Sequence, residues 1–308
     1  MMSMRNLRKL ILTSILILFA AINVAEVSAA KLLYGQGRFW RLEHVVHETS
    51  YLFGTVHVPD KIVTEIPASV DQAMNRAEFI AFEILQDEKA QKRAGELMAL
   101  PPDQSLRALI GDQLFAQSGI LAARYGLQPQ QIDRLKPWAL VTIFSLTPEQ
   151  MAMRQKGVQA LDFQLQRRAA AKQKQLFGLE DLMGQLRIFD SMPKADQVQL
   201  LDVTVKAGQR QEEMMRKLIE LYLNGDLDGI HDMMVWQNNL AGPEFAAKFE
   251  ERFLLKRNRR MARKALARMK QGSTFIAVGA LHLPGEEGLV NLFTKQGYRA
   301  TRIKLLLQ

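Results

Sequence analysis

Two histidines stand in matching surroundings near opposite ends of the sequence. His57 closes Gly54-Thr55-Val56-His57 within YLFGTVHVPD, and His282 closes Gly279-Ala280-Leu281-His282 within FIAVGALHLPG. Each follows an apolar, β-rich run, has a glycine three residues back and a proline two residues on. The carboxyl ends of strands are where α/β sheets gather their sites. A glycine inside a strand marks a bulge or a close approach by another backbone or a ligand. An imidazole at such a point is suited to metal ligation or to proton transfer near neutral pH.

Glu83 is the third candidate, one carboxylate among Phe79, Ile80, Phe82, Ile84 and Leu85 in EFIAFEIL. Burying a carboxylate without a partner costs several kcal/mol, on the order of its desolvation. Its partner is a structural arginine, a metal ion, or an imidazole whose tautomer it fixes. Arg257, beside Asn258 at the start of a basic run, can pair with such a carboxylate or hold a substrate's carboxylate or oxyanion; otherwise it is solvated like its neighbours. Of the other histidines, His44 and His47 flank an expected hairpin turn and His231 lies in the helical middle, so all three read as structural or surface residues. Asp226-Leu227-Asp228-Gly229 lacks the remaining ligands of a calcium loop.

Strand signals fall at 38–44, 50–57, 79–85, 175–179, 274–282 and 298–305, rich in β-branched and aromatic residues. Apolar residues recur at helical spacing through 105–124, 128–146, 157–173, 194–224 and 244–271. The short 45–49 connection predicts an antiparallel hairpin, and the long helical stretches predict crossovers. The expected fold is α/β, with α+β as the alternative: a mixed central sheet that starts with the hairpin and carries a large helical insertion. Residues 30–308 read as a single domain, mostly helical over 88–270.

With 308 residues and 48% hydrophobic content the chain can bury a full core, and with no cysteine it has no disulfide, thiolate metal site or cysteine nucleophile. Arg5, Arg8 and Lys9, an apolar run from Leu10 to about Val24, and Val27-Ser28-Ala29 form a signal-peptide pattern over residues 1–29. The expected destination is the periplasm or the exterior; retention as an N-terminal membrane anchor is the alternative. The net charge is +9, with basic residues concentrated in KRNRRMARKALARMK, residues 256–270. That segment is a solvated helix face or contacts an anionic membrane surface or acidic ligand. No aromatic stacking motif accompanies it, which argues against nucleic acid.

LFGTVHVPD at 52–60, FIAFEIL, LKPWAL at 135–140, LDFQLQRRAAAKQKQLFGLED at 161–181, KRNRRMA at 256–262 and FIAVGALHLPGEEGLVNLFTKQGYRATRI at 275–303 together resemble the TraB/PrgY/GumN family, whose GxxH-bearing relatives include the Tiki metalloproteases. The resemblance implies a compact α/β fold with His57, Glu83, Arg257 and His282 in one cleft, and a divalent-metal-dependent hydrolysis of peptide or amide bonds. The chain departs from the family pattern at Ala160 and Asp181, which bears on substrate shape more than on chemistry. Two imidazoles and a carboxylate suffice for a catalytic zinc, manganese or cobalt ion with an open water position, so His57, Glu83 and His282 are the expected metal ligands. No HExxH pattern is present. Without metal, His57 oriented by Glu83 acts as general base on water while Arg257 stabilises an oxyanion. The rival from another class is a non-catalytic module that binds or sequesters a peptide or small signal molecule.

Overall fold

Six strands form one mixed sheet in a computed structural model that describes residues 31–305; the expected leader at 1–29 lies outside the described residues. The strands are β1 (Phe39–Glu43), β2 (Ser50–Thr55), β3 (Phe79–Phe82), β4 (Gln175–Gly178), β5 (Thr274–Gly279) and β6 (Arg299–Arg302), in the order β4-β3-β5-β2-β1-β6. The expected hairpin is present as antiparallel β1–β2, and β6 adds antiparallel to β1. The other pairings, β2–β5, β5–β3 and β3–β4, are parallel. The sequence reflects this division: interior parallel strands are covered on both faces and read as continuous apolar runs, such as FIAF and TFIAVG. The edge strand RATR is polar and exposed.

β2, β3 and β5 stop two or three residues before the ends predicted from composition. His57 lies two residues beyond β2, and His282 ends a 3₁₀ turn over Ala280–His282 that follows β5. Glu83 is the first residue after β3 and still donates its N–H to Ala277 O at 3.1 Å. The three groups thus leave the sheet on short, non-extended segments.

Four expected helices are interrupted where backbone chemistry breaks the 3.6-residue period, the 105–124 stretch among them, since Leu106–Ala123 is kinked at Gly111, whose φ of 78° is non-helical. The 128–146 stretch divides into Pro129–Ile132 and Pro137–Ile143, because Pro137 starts a helix but cannot continue one. The 194–224 stretch is broken by a 3₁₀ turn at Gly208–Arg210. The last stretch runs as Pro243–Glu250, a π-turn over Glu251–Leu255, and Lys256–Met269. Among the described residues no helix is long and apolar enough to cross a membrane.

Two large clusters make up most of the apolar interior, with Ala207 and Met214 forming a small third. One cluster underlies the sheet, including Phe39, Phe53, Phe275 and Phe293; the other, around Trp138, Phe144, Phe189 and Phe253, belongs to the helical insertion. Their boundary passes the carboxyl end of the parallel strands.

Candidate active site

Parallel neighbours end at the same edge of a sheet, so whatever follows them converges. In register, Gly54 stands opposite Val278 and Thr55 opposite Gly279, while Phe82 stands opposite Ala277 and Gly178. Consequently β4, β3, β5 and β2 deliver Glu180, Glu83, His282 and His57 to one edge. The glycines of the two GxxH copies serve different purposes there. A Cβ on Gly54 would sit 3.0 Å from Ala280 Cα, so this glycine lets β2 pass under the turn that carries His282. A Cβ on Gly279 would meet no backbone but would sit 3.4 Å from Glu83 Oε2, 3.4 Å from His282 Cδ2 and 3.8 Å from His57 Nε2. The absent side chain leaves a cradle bounded by the three candidate ligands.

Each imidazole is held by its far nitrogen. His57 Nδ1 lies 2.7 Å from Asp162 Oδ2, and Asp162 Oδ1 accepts from Thr55 Oγ1 at 2.5 Å. His282 Nδ1 lies 2.5 Å from Asn258 Oδ1, whose amide nitrogen donates to Glu287 O at 2.8 Å. Because an amide oxygen only accepts, His282 carries its proton on Nδ1 and turns the lone pair of Nε2 into the site. Both Nε2 atoms face Glu83 Oε2, at 4.0 Å from His57 and 3.8 Å from His282, beyond hydrogen-bonding reach.

Glu83 is fixed by the groups behind it. Oε1 is bonded to Arg257 and accepts from Gln185 Nε2 at 2.8 Å; Oε2 accepts from the Gly279 N–H at 3.0 Å. Arg257, only 2% exposed, also donates through Nε to Glu180 Oε2 at 2.8 Å and through Nη1 to Phe253 O at 3.1 Å. Gln185 bridges to Glu180 Oε2 at 3.0 Å. Of the sequence alternatives for Arg257, pairing with a carboxylate is the one the structure shows: it is buried rather than solvated, and it donates to Glu83, Glu180 and the backbone rather than facing an oxyanion. It is a positioning residue. Likewise the ring of His57 is oriented by Asp162, not by Glu83.

The charges differ across the site. Burial opposes the imidazolium of His57, but the Asp162 carboxylate outweighs it and, with Glu83, pushes the pKa up to about 9. Burial together with the Arg257 guanidinium lowers His282 to about 4, so it is neutral. Burial opposes ionisation of Glu83, yet Arg257 and the two histidines hold it well below the usual carboxylate range. With no ion bound, a protonated His57 at neutral pH is an acid; the metal-free general-base role expected from sequence would need pH above about 9.

Two cavities meet at His57 and Glu83. One, of about 80 Å³, is walled by Phe249, Phe253, Arg257 and His282; the other, of about 50 Å³, by Asp162, Gln166, Leu182 and Gln185. The donor set suits a divalent ion: two imidazole Nε2 atoms with their Nδ1 groups anchored to oxygen, and one carboxylate oxygen, arranged around the space that the missing Gly279 side chain leaves. The donors are gathered rather than closed, since among the described residues no three histidine or acidic side chains already form a metal-ready cluster.

The TraB/PrgY/gumN family pattern matches residues 38–302, nearly all of the described chain. The chain belongs to the TraB/PrgY/gumN family. Relatives of this family member include metalloprotease TIKI2 of Xenopus tropicalis, 24% identical over 301 residues, covering 82% of this chain and 57% of that protein. Metalloprotease TIKI1 of Danio rerio is 25% identical over 297 residues (81% and 60%), and a TIKI homolog of Nematostella vectensis is 22% identical over 307 residues (83% and 65%). The chain thus spans about three-fifths of the length of these relatives. No solved structure matches it significantly.

In this TraB/PrgY/gumN chain the structure brings His57, Glu83, His282 and Arg257 together and leaves the other histidines elsewhere. His44 and His47 stack beside Tyr298, and His231 lies 3.3 Å from Glu250. Sequence reasoning missed the positioning roles of Asp162, Asn258, Glu180 and Gln185. A signal existed for three of them: Asp162 shares a helical stripe with buried Leu165 and Ala169, Asn258 shares one with Ala262, Ala265 and Met269, and Gln185 shares one with Leu182, Leu186 and Phe189. A polar residue on such a stripe needs a partner.

Proposed function

We propose that this protein is an exported, metal-dependent hydrolase of peptide or amide bonds, with a zinc, manganese or cobalt ion held by His57 Nε2, His282 Nε2 and Glu83 Oε2. The observation that carries the reading is the pair of imidazoles whose Nδ1 atoms are anchored by Asp162 and Asn258 while both Nε2 atoms face the same carboxylate oxygen. The TIKI relatives, named as metalloproteases, support the reaction class. Export rests on the signal-peptide pattern of residues 1–29.

When bound, such an ion polarises a carbonyl and lowers the pKa of a coordinated water. The chain's own contribution is preorganisation. Asp162 and Asn258 set ring orientation and tautomer, and Arg257, Glu180 and Gln185 lock Glu83 so that only Oε2 faces the cradle. Both cavities border His57 and Glu83, so a substrate group that enters either one meets these two side chains.

The test is cleavage of a peptide library by purified protein before EDTA treatment, after it, and after return of Mn²⁺, Co²⁺ or Zn²⁺. Activity lost with EDTA, restored by one of these ions, and absent from His57→Ala and His282→Ala is the expected result. Activity indifferent to both substitutions would sink the proposal, and tight peptide capture without cleavage would favour a sequestering protein instead.

A further inference from the structure

Beside the site, across the phenylalanine wall, lies a larger open groove of about 960 Å³ between the helices Leu182–Asp190, Pro243–Glu250 and Lys256–Met269. Phe249 and Phe253, stacked at 4.2 Å, line both this groove and the cavity at His282. Seven of its lining residues are basic and two acidic. Some of that charge is already answered: Lys248 by Glu244, Arg259 by Glu251 and Glu287, Arg260 by Glu180. Arg187, Lys256 and Arg263 are exposed and have no carboxylate partner among the described residues. Lys256, Arg260 and Arg263 follow one another at helical spacing, so the cations form a stripe with Arg187 facing it.

We infer that this groove binds an acidic polypeptide segment through Arg187, Lys256 and Arg263; its being a segment of the cleaved substrate rests on the hydrolase reading above. Two observations favour a peptide over an anionic membrane. The apolar stripe of the basic helix, Met261, Ala262, Ala265 and Met269, is buried in the protein and cannot enter a bilayer. None of the exposed large hydrophobic residues lines the groove, so it offers a bilayer no apolar anchor, whereas its cations lie in a recess between three helices that an extended chain can enter and a flat membrane surface cannot follow. Within the stripe Arg260 is held by its ion pair with Glu180, which leaves the exposed Lys256 and Arg263 on either side of it to meet an acidic strand.

The experiment is fluorescence anisotropy with labelled Glu-Gly, Gln-Gly and Lys-Gly repeat peptides, for the wild-type protein, an Arg187→Gln, Lys256→Gln, Arg263→Gln triple variant and the corresponding triple Glu variant. Thermal melts confirm folding of each. Expected are binding of the Glu-Gly peptide at least tenfold tighter than the Gln-Gly peptide, weakening with salt, a tenfold or greater loss in the Gln variant, and a switch toward the Lys-Gly peptide in the Glu variant. Equal binding of all three peptides, or acidic binding unchanged in the variants, overturns the inference. So does co-sedimentation with phosphatidylglycerol vesicles that depends on the three residues without acidic-peptide binding. Because binding is read without turnover, capture of the acidic peptide with no cleavage of any peptide upholds the groove and removes only the hydrolase reading.

Discussion

The same substitution, glycine to alanine, should have opposite consequences in the two GxxH copies. At Gly279 the backbone sits at φ −53° and ψ 136°, which alanine adopts without strain. The new methyl would lie 3.4 Å from Glu83 Oε2 and His282 Cδ2 and 3.8 Å from His57 Nε2, ordinary contact distances. Gly279→Ala should therefore fold, and gain about 0.4–1 kcal/mol from the stiffer unfolded chain. Yet the methyl occupies the cradle. A ligand that bonds the Nε2 and Oε2 atoms must come within roughly 2.0–2.2 Å of each, and displacing a reacting group by an ångström costs on the order of 10²-fold in rate. A loss of kcat/KM of about 100-fold or more is expected, with an unchanged or higher melting temperature. At Gly54 the methyl would press on Ala280 Cα at 3.0 Å and Leu283 Cδ2 at 3.1 Å. Gly54→Ala should cost about 1–3 kcal/mol as an overpacked core position. The assays are thermal melts and peptide-cleavage kinetics on both variants. Retention of kcat/KM within threefold in Gly279→Ala would refute the cradle as the place where ligand sits, and a melting temperature well below wild type would refute the steric argument.

Asp162→Ala and Asn258→Ala should each weaken divalent-metal binding by roughly 10–100-fold, since both remove the group that anchors an Nδ1 atom; calorimetric titration reads this directly. Arg257→Met leaves Glu83 and Glu180 facing each other without their shared cation and should destabilise the protein by about 3–5 kcal/mol in denaturant unfolding. In the metal-free protein the raised pKa of His57 contributes stability that is complete below about 6.5 and lost as pH rises through about 9, on the order of 3 kcal/mol. The lowered pKa of His282 contributes stability that is present above about 6.5 and lost as pH falls through about 4, so pH-resolved melts should peak between these limits. Metal binding at pH 7 must displace the His57 proton, so affinity should rise about tenfold per pH unit up to about 9, with close to one proton released in titrations run in buffers of different ionisation enthalpy.

The parallel strands are legible in the sequence because strands buried on both faces need continuous apolar residues, and LFG, FIAF and TFIAVG have them. Their adjacency is not legible. That β5 separates β2 from β3, and so brings His282 between His57 and Glu83, is a property of crossovers many residues long. The repeated glycines are visible as a pattern, but only register shows that Gly54 clears a backbone whereas Gly279 clears the space between Glu83, His282 and His57. Arg257 looks like one cation in a run of several; its position four and eight residues before Met261 and Ala265 is the local sign that it faces inward. Gln185 bears the same sign, on a stripe with Leu182, Leu186 and Phe189, whereas Glu180 bears none, because its role arises from β4 ending beside β3. The π-turn at Glu251–Leu255 is likewise hidden, since its extra residue per turn offsets the stripes that a single 3.6-residue count runs together.

The central claim, a metal ion held by the two GxxH histidines and Glu83, is tested most directly by elemental analysis of protein purified without added metal and of the same protein after loading and dialysis. The wild type should carry close to one equivalent of zinc, manganese or cobalt per chain, and His57→Ala and His282→Ala, folded by thermal melt, should carry almost none. A wild-type protein that retains no stoichiometric metal after loading, or variants that retain as much as the wild type, would contradict it.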